Sequence, residues 1–318
     1  MNRRQTIPKH LRYTINDFNA QFPDNDSCLE FLKERQFPNG MAHCEKCGIE
    51  RKHHRVTGRP AYACDYCGSM ISPMAGTIFE KSSTSLRLWF YAMYLMASTR
   101  CGISAKQIQR ETGVTYKTAW RMFRQIRTLL AENADMQLEG SSIEMDESYF
   151  GGRNRRGSKR GRPNSAESHK QCVVGIVERK GRAIVMTSEN ATRANLHRIA
   201  QERILPESTV FTDDWQGYGG LAEAANVTHK RINHSEKIYV MGDIHTQTVD
   251  GLWSLIKRGL GGVYHQVSKK YLQTYLDEYT FRYNRRDQGN LIFTSILERV
   301  CGKAAKQTVP ADREIPVW

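Results

Sequence analysis

The chain has 318 residues, with 47 Lys and Arg against 33 Asp and Glu and a net charge of +14. That is long enough for two or three domains, and basic enough to point to a polyanionic partner such as DNA, RNA or an anionic membrane. The longest apolar run, Leu88 to Ala97, is about half the roughly 20 residues a membrane-spanning helix needs, so no span is expected.

The amino-terminal "MNRRQTIPKHLRYTIND" is basic and lacks the apolar stretch of a secretion signal. The expectation is a cytosolic chain whose eight cysteines stay reduced. Ser27 and Glu30 fit a capping box opening a short helix to about Gln36, which Pro38 and Gly40 stop.

Next come "HCEKCG" and "ACDYCG": Cys44-x2-Cys47, sixteen intervening residues, then Cys64-x2-Cys67. Each pair can aim two sulfurs at one point, and two such knuckles complete the tetrahedral thiolate shell of structural zinc. Gly48 and Gly68 follow the pairs, as knuckle turns favour. The alternative is two disulfides or four buried thiols, which a cytosolic chain disfavours. His43, His53 and His54 read as surface or phosphate-contacting residues, and Cys28, Cys101, Cys172 and Cys301 as buried structural thiols.

From Ser83 to about Ala134 the spacing is helical, with Leu86, Trp89, Phe90, Met93 and Tyr94 on one side. Within it, a helix from Ser104 to about Thr112, a turn at Gly113 and a second helix from near Thr115 suit a helix-turn-helix. Its second helix would offer Tyr116, Lys117, Arg121 and Arg124 to DNA; the alternative is an ordinary helical hairpin.

From Ser142 the period changes. "SIEMDESYF", "CVVGIVE", "AIVMTS" and "STVFTDD" read as short strands and "ATRANLHRIAQERI" as a helix between the last two, giving an α/β domain with a mixed sheet. Leu272, Tyr275, Leu276, Tyr279 and Tyr283 form a helical stripe read as core. The expected organisation is a helix and zinc ribbon over 1–82, the helix-turn-helix region over 83–136, the α/β domain over 137–300 and a tail over 301–318.

Three acids stand out. Asp146 ends the first strand, Asp213 ends another, and Asp250 opens a helix, 36 residues intervening after Asp213 and seven before Lys257. Singly, each could be a strand-end or helix-capping residue. Together, two strand-end acids and one on a later helix are what a pair of magnesium ions requires, and Lys257 would share the face of Asp250 two turns on. The loop 151–170 holds seven Lys or Arg against one Glu. It reads either as a solvated connection or as a phosphate-binding arm carrying Arg153, Arg155, Arg156, Lys159 and Arg160.

In order, "RQFPNGMAHCEKCG", "CDYCGSMISPMAGTIFEKSSTSLRLWF", "MDESYFGGR", "FTDDWQGY", "HTQTVDGLWSLIKRG" and "YLDEYTFRYNRR" resemble the Merlin-related group of bacterial insertion-sequence transposases. That resemblance implies an amino-terminal zinc ribbon and a ribonuclease-H-like DDE catalytic domain. It implies Asp146, Asp213 and Asp250 as ligands of catalytic Mg2+ or Mn2+, structural Zn2+ on the four cysteines, and Lys257, with Arg258 beside it, on DNA. The family usually has Glu where this chain has Asp250, one methylene and about 1.5 Å shorter. Asp214 is a lower-ranked substitute for Asp213, His245 and Gln247 are expected near the site, and Glu144, Glu147, Asp277 and Glu278 are read as solvated or structural.

The implied activity is cleavage at terminal inverted repeats and strand transfer into target DNA, by a homo-oligomer working at the bacterial nucleoid. The alternatives are a DNA-binding regulator with a relic catalytic domain, which the Asp250 departure favours, and a metal-dependent nuclease without strand transfer.

Overall fold

A computed structural model of the chain describes residues 8–99, 101–131, 135–140, 142–151, 170–232 and 245–301. The basic arm, with Arg153, Arg155, Arg156, Lys159 and Arg160, lies outside the described residues, as does the tail beyond Cys301. The chain divides into two compact units, residues 1–129 with 287–318, and residues 130–286. Among the described residues no helix is long and apolar enough to cross a membrane.

The first unit opens with α1 (Ile15–Gln21) and α2 (Asn25–Gln36). The cap of α2 is Asp24, three residues earlier than the sequence suggests. Its Oδ1 accepts from the Ser27 amide at 2.8 Å, and Ser27 Oγ accepts from the Asp24 amide at 3.3 Å. Ser27 is therefore the far partner of a capping box, and Glu30 instead accepts from the Tyr62 hydroxyl.

A four-stranded antiparallel sheet follows, in the order β1 (Met41–Cys44), β2 (Ile49–Arg55), β3 (Tyr62–Cys64), β4 (Met70–Ile71). Then come α3 (Leu86–Ser98), α4 (Ala105–Thr112) and α5 (Tyr116–Thr128). α3 buries Trp89, Phe90, Met93 and Met96. The helix Ile292–Val300, which the sequence boundary at 300 assigns to the α/β domain, belongs to this first unit. Its buried stripe, Phe293, Ile296, Leu297 and Val300, explains why: the Phe293 ring lies 5.8 Å from Phe18 and 5.9 Å from Tyr94, so apolar burial outweighs sequence proximity.

The second unit is built on β5 (Ile143–Phe150), β6 (Gln171–Glu178), β7 (Ala183–Ser188), β8 (Thr209–Asp213) and β9 (Thr228–Ile232), in the order β7-β6-β5-β8-β9. β5, β6 and β7 pair antiparallel, while β8 and β9 run parallel to β5. Three antiparallel strands followed, beyond β5, by two parallel ones give the mixed sheet expected of a ribonuclease-H-like domain. β9, "THKRI", has no apolar alternation to announce it; it is an edge strand with only Ile232 buried.

α6 (Arg193–Arg203) and α7 (Leu221–Ala225) pack Leu196, Ile199, Ala200 and Leu221 against one face of the sheet, with Met145, Val174 and Val210. The remaining helices are α8 (Gln247–Gly259) and α9 (Lys269–Asn284). In the α9 stripe Leu272, Tyr275, Leu276 and Tyr279 are buried and Tyr283 half-buried. α9 also covers the sheet edge at β7. The Thr187 amide donates to Gln273 Oε1 at 2.7 Å, the Ala183 amide to Asn284 Oδ1 at 2.7 Å, and Asn284 Nδ2 donates back to the Ala183 carbonyl at 3.0 Å. Side-chain amides thus take the groups a bare edge would offer to another strand.

Candidate active site

Asp146 and Asp213 stand on adjacent parallel strands. β5 and β8 pair Ile143 with Val210 and Glu144 with Phe211; the same register carried two residues further sets Asp146 beside Asp213. The strand period of two puts Glu144 and Asp146 on one face of β5 and Met145 and Glu147 on the other. Glu147 is buried there, accepting from the Tyr218 hydroxyl at 2.7 Å. Burial, then the charges of Glu147 and Asp213, push the Asp146 carboxyl up from 3.8 to about 7, against the pull of an indole N–H from Trp253. Asp213 Oδ1 accepts from the Trp215 amide at 3.1 Å. Asp214 next to it is exposed, and its carbonyl accepts from Arg231 at 2.7 Å.

α8 crosses the same face. Trp253 Nε1 donates to Asp146 Oδ2 at 2.8 Å, and the indole lies over Gly175, the antiparallel partner of Asp146 on β6. A Cβ on Gly175 would stand 2.7 Å from Trp253 Cζ2 and 2.9 Å from Cη2, so only glycine lets the ring down to the carboxylate. At the start of the helix the fully buried Glu144 accepts from the amides of Thr248 at 2.7 Å and Val249 at 2.9 Å, and from the Thr248 hydroxyl at 2.9 Å. Arg179 completes this corner, with Nε 2.7 Å from Glu144 Oε1 and Nη2 donating to the His245 carbonyl at 2.7 Å. Glu144 and Glu147 are therefore structural and buried, not solvated.

Asp250 lies between these two anchor points on the exposed border of α8, with Lys257 and Arg258 exposed further along. Seven residues on, Lys257 returns to within about 20° of the direction of Asp250, so the helix does put the acid and the lysine in one stripe. His245 sits with Nδ1 3.2 Å from Glu144 Oε1, and Gln247 is exposed. The three aspartates do not form a group with ligand atoms all within 4.8 Å; among the described residues only the cysteine quartet does. Asp277 accepts from Gln273 at 2.8 Å and the buried Glu278 pairs with Arg282 at 2.8 Å, both within α9 itself.

Cys44, Cys47, Cys64 and Cys67 converge in the first unit, with no disulfide among them. Their sulfurs lie 3.4 Å apart for Cys44–Cys67 and 3.9 Å for Cys47–Cys64, bracketing the roughly 3.8 Å that tetrahedral Zn–S bonds of about 2.3 Å demand. Gly48 and Gly68 both turn at φ 69°, and their amides return to the Cys44 and Cys64 carbonyls at 2.8 and 3.1 Å. The donor set fits Zn2+. His43 and His54 are exposed, but His53 is buried, its Nδ1 3.0 Å from the Arg51 carbonyl. Cys28 and Cys172 are buried, Cys301 is half-buried and Cys101 is exposed.

The helix pair takes the expected form. Ser104 caps α4, Gly113 turns at φ 71°, and Thr115 caps α5. α5 buries Ala119, Met122, Phe123 and Ile126. Lys117, Arg121 and Arg124, at i, i+4 and i+7, take the opposite side; the first two are exposed and the third half-buried. Tyr116 is half-buried under the Lys106 ammonium, 4.4 Å from its ring centre.

Two family descriptions match the sequence: an ISXO2-like transposase domain over residues 137–284 and a transposase zinc-ribbon domain over 23–70. A protein in transposable element ISH50 of Halobacterium salinarum is 31% identical over 277 residues, 82% of this chain and 91% of the relative. A transposase-like protein of Haemophilus influenzae is 29% identical over 98 residues, 31% of this chain and 77% of the relative. Among solved structures, the pre-cleavage Mos1 transpososome aligns at 11% identity and TM-score 0.26, over 64% of this chain and 75% of that one. The Mos1 strand transfer complex aligns at 11% and 0.27, over 69% and 79%.

Proposed function

The chain belongs to the ISXO2-like transposase family, and from that premise we propose a DNA transposase that binds the terminal inverted repeats of its element, cleaves there, and joins the freed strands to target DNA. One observation carries the reading. Asp146, a half-buried acid, falls in register beside Asp213 and accepts from Trp253 of α8, the helix that also carries Asp250.

The donor set fits Mg2+ or Mn2+, because carboxylate oxygens suit a hard cation and Asp146 has acidic neighbours that make its ionisation costly. When bound by Asp146, Asp213 and Asp250, such ions supply activation of water or a 3′-hydroxyl and stabilisation of the leaving oxygen. Trp253 orients Asp146, while Lys257 and Arg258 hold the strand by its phosphates. Hydrolysis breaks a phosphodiester to leave a 3′-hydroxyl. That hydroxyl then attacks a target phosphodiester, forming one bond as the other breaks, with no covalent protein intermediate.

Recognition falls to the zinc ribbon, to Lys117, Arg121 and Arg124 of α5, and to the basic arm around Arg153, Arg155, Arg156, Lys159 and Arg160. The net charge of +14 supports a DNA partner. Two ends must be handled together, so the working form is a homo-oligomer. Placement in the Merlin-related bacterial group, and action at the nucleoid, are parts of this same proposal.

The test is a labelled terminal-repeat duplex incubated with supercoiled plasmid and Mg2+, for the unaltered chain and for Asp146→Asn. Joining that Asp146→Asn abolishes supports the transposase. Cleavage without joining identifies a nuclease, and binding without cleavage a regulator; either result overturns the proposal.

A further inference from the structure

The contacts between β5 and α8 form a two-point latch. Glu144 takes the second and third amides of α8, and Trp253 gives its N–H to Asp146. The spacings match. Two residues of strand, Glu144 to Asp146, advance about 6.7 Å; the four or five helical residues from Thr248 or Val249 to Trp253 advance about 6–7.5 Å. The two elements therefore run side by side in step, and Asp250 is the residue suspended between the ties. Sliding α8 by one turn, about 5.4 Å, would break both ties at once.

The latch is also largely shielded from solvent, with Asp146 half-buried. Glu144 is fully buried and Trp253 nearly so, and the Thr246 cap position makes no side-chain bond to the helix amides, leaving that task to Glu144. Arg179 holds Glu144 from the far side and ties down the His245 carbonyl, with its guanidinium 4.1 Å from the centre of the Phe211 ring. Gly175 leaves the space into which the indole drops.

We propose that Glu144 and Trp253 are positioning residues for the metal-binding carboxylates: they lock α8 in register with β5, so that Asp250 is delivered beside Asp146 and Asp146 is held in one orientation. This rests on the reading of Asp146 and Asp250 as ligands of a divalent cation. It adds residues that touch neither cation nor DNA.

The test is Mn2+ binding to the full-length, zinc-loaded chain, followed by electron paramagnetic resonance and calorimetry, for the unaltered protein, Trp253→Phe, Glu144→Gln, Asp146→Asn and Asp250→Asn. Trp253→Phe keeps the ring and loses one N–H, so it is expected to fold, with an unchanged circular dichroism spectrum and DNA affinity, while binding Mn2+ about 3- to 10-fold more weakly. Glu144→Gln is expected to weaken it similarly, but to have no further effect in an Asp250→Asn background. A general loss of stability would persist there.

If Trp253→Phe binds Mn2+ like the unaltered chain while Asp146→Asn does not, the latch is refuted and the metal-site reading stands. If Asp146→Asn binds as well as the unaltered chain, or the unaltered chain does not bind, the metal-site reading itself falls and the latch with it. If Glu144→Gln does not fold, Trp253→Phe and Gly175→Ala, which drives the indole off the carboxylate, decide the question by the same measurement.

Discussion

Removing the charge of Asp146 should make the metal-free protein more stable at alkaline pH. Its carboxyl is raised from 3.8 to about 7, by burial first and then by Glu147 and Asp213. The folded chain therefore holds this proton more tightly than the unfolded chain does. The stability linked to it is fully present below about 3.8 and is lost as pH rises through about 7. Three units at about 1.4 kcal/mol each come to roughly 4 kcal/mol, an upper bound. Asp146→Asn mimics the protonated acid, and its Oδ1 can still accept from Trp253. Its new NH2 lacks an assured acceptor at a half-buried place, which costs up to about 1–3 kcal/mol. The expected net gain at pH 8 is about 1–3 kcal/mol, shrinking towards pH 4. Urea unfolding followed by tryptophan fluorescence, on zinc-loaded protein without other divalent cations or chelator, measures it. A variant less stable than the unaltered chain at pH 8, or a difference that does not change with pH, would refute the reasoning.

The zinc ribbon should carry one Zn2+ per chain by atomic absorption, and Cys67→Ser should lose it together with the ordered ribbon; a chain purified without zinc sinks that reading. Lys117→Ala with Arg121→Ala should weaken duplex binding and flatten its salt dependence by about 0.9 in log–log slope for each phosphate no longer neutralised; an unaltered slope in a binding titration removes α5 from the interface. Asp250→Glu extends the acid by about 1.5 Å and should tighten Mn2+ binding several-fold, whereas equal or weaker binding in calorimetry would show that α8 already brings the shorter acid close enough. Glu144→Ala should destabilise the second unit by about 3–5 kcal/mol, because the Arg179 guanidinium and two helix amides lose their acceptor; a loss under about 1 kcal/mol in urea unfolding would contradict that.

Much of this architecture can be read from local pattern. Cys-x-x-Cys spacing followed by glycine announces the ribbon, since each knuckle is a short-range turn. The Ser104, Gly113 and Thr115 signals mark α4 and α5 because caps and left-handed turns are chosen by single residues. Strands β5 to β8 show as β-branched runs, being buried on both faces. What escapes is what depends on partners distant in sequence. β9 is a polar edge strand that only β8 defines. The helix Ile292–Val300 is drawn to Phe18 and Tyr94, some 200 and more residues upstream. The cap of α2 lies at Asp24 because either of two oxygen-bearing side chains could serve, and sequence cannot choose between them. Trp253 looks like a core aromatic until Gly175 and Asp146 are seen to lie beneath it.

The sharpest contrast is between two acids on one strand face. Glu144 and Asp146 are two residues apart, the first fully buried and the second half-buried. Glu144 is given a guanidinium, two helix amides and a hydroxyl, enough to satisfy both oxygens and balance its charge within the protein. Asp146 is given only neutral donors, the Trp253 indole and the Glu147 amide, and burial followed by two negative neighbours raises its carboxyl to about 7. A buried carboxylate that the fold compensates is a structural element. One that the fold orients, yet surrounds with like charge, is costly to ionise, and a bound cation would relieve that cost. Spacing cannot make that distinction, since "EMDE" offers three acids with nothing local to rank them; the partners of Glu144 come from Arg179, just past β6, and from α8, whereas the main influences on Asp146 include no cation. Where the compensating charge is and is not thus supports the two proposals together, Asp146 for metal chemistry and Glu144 for holding α8.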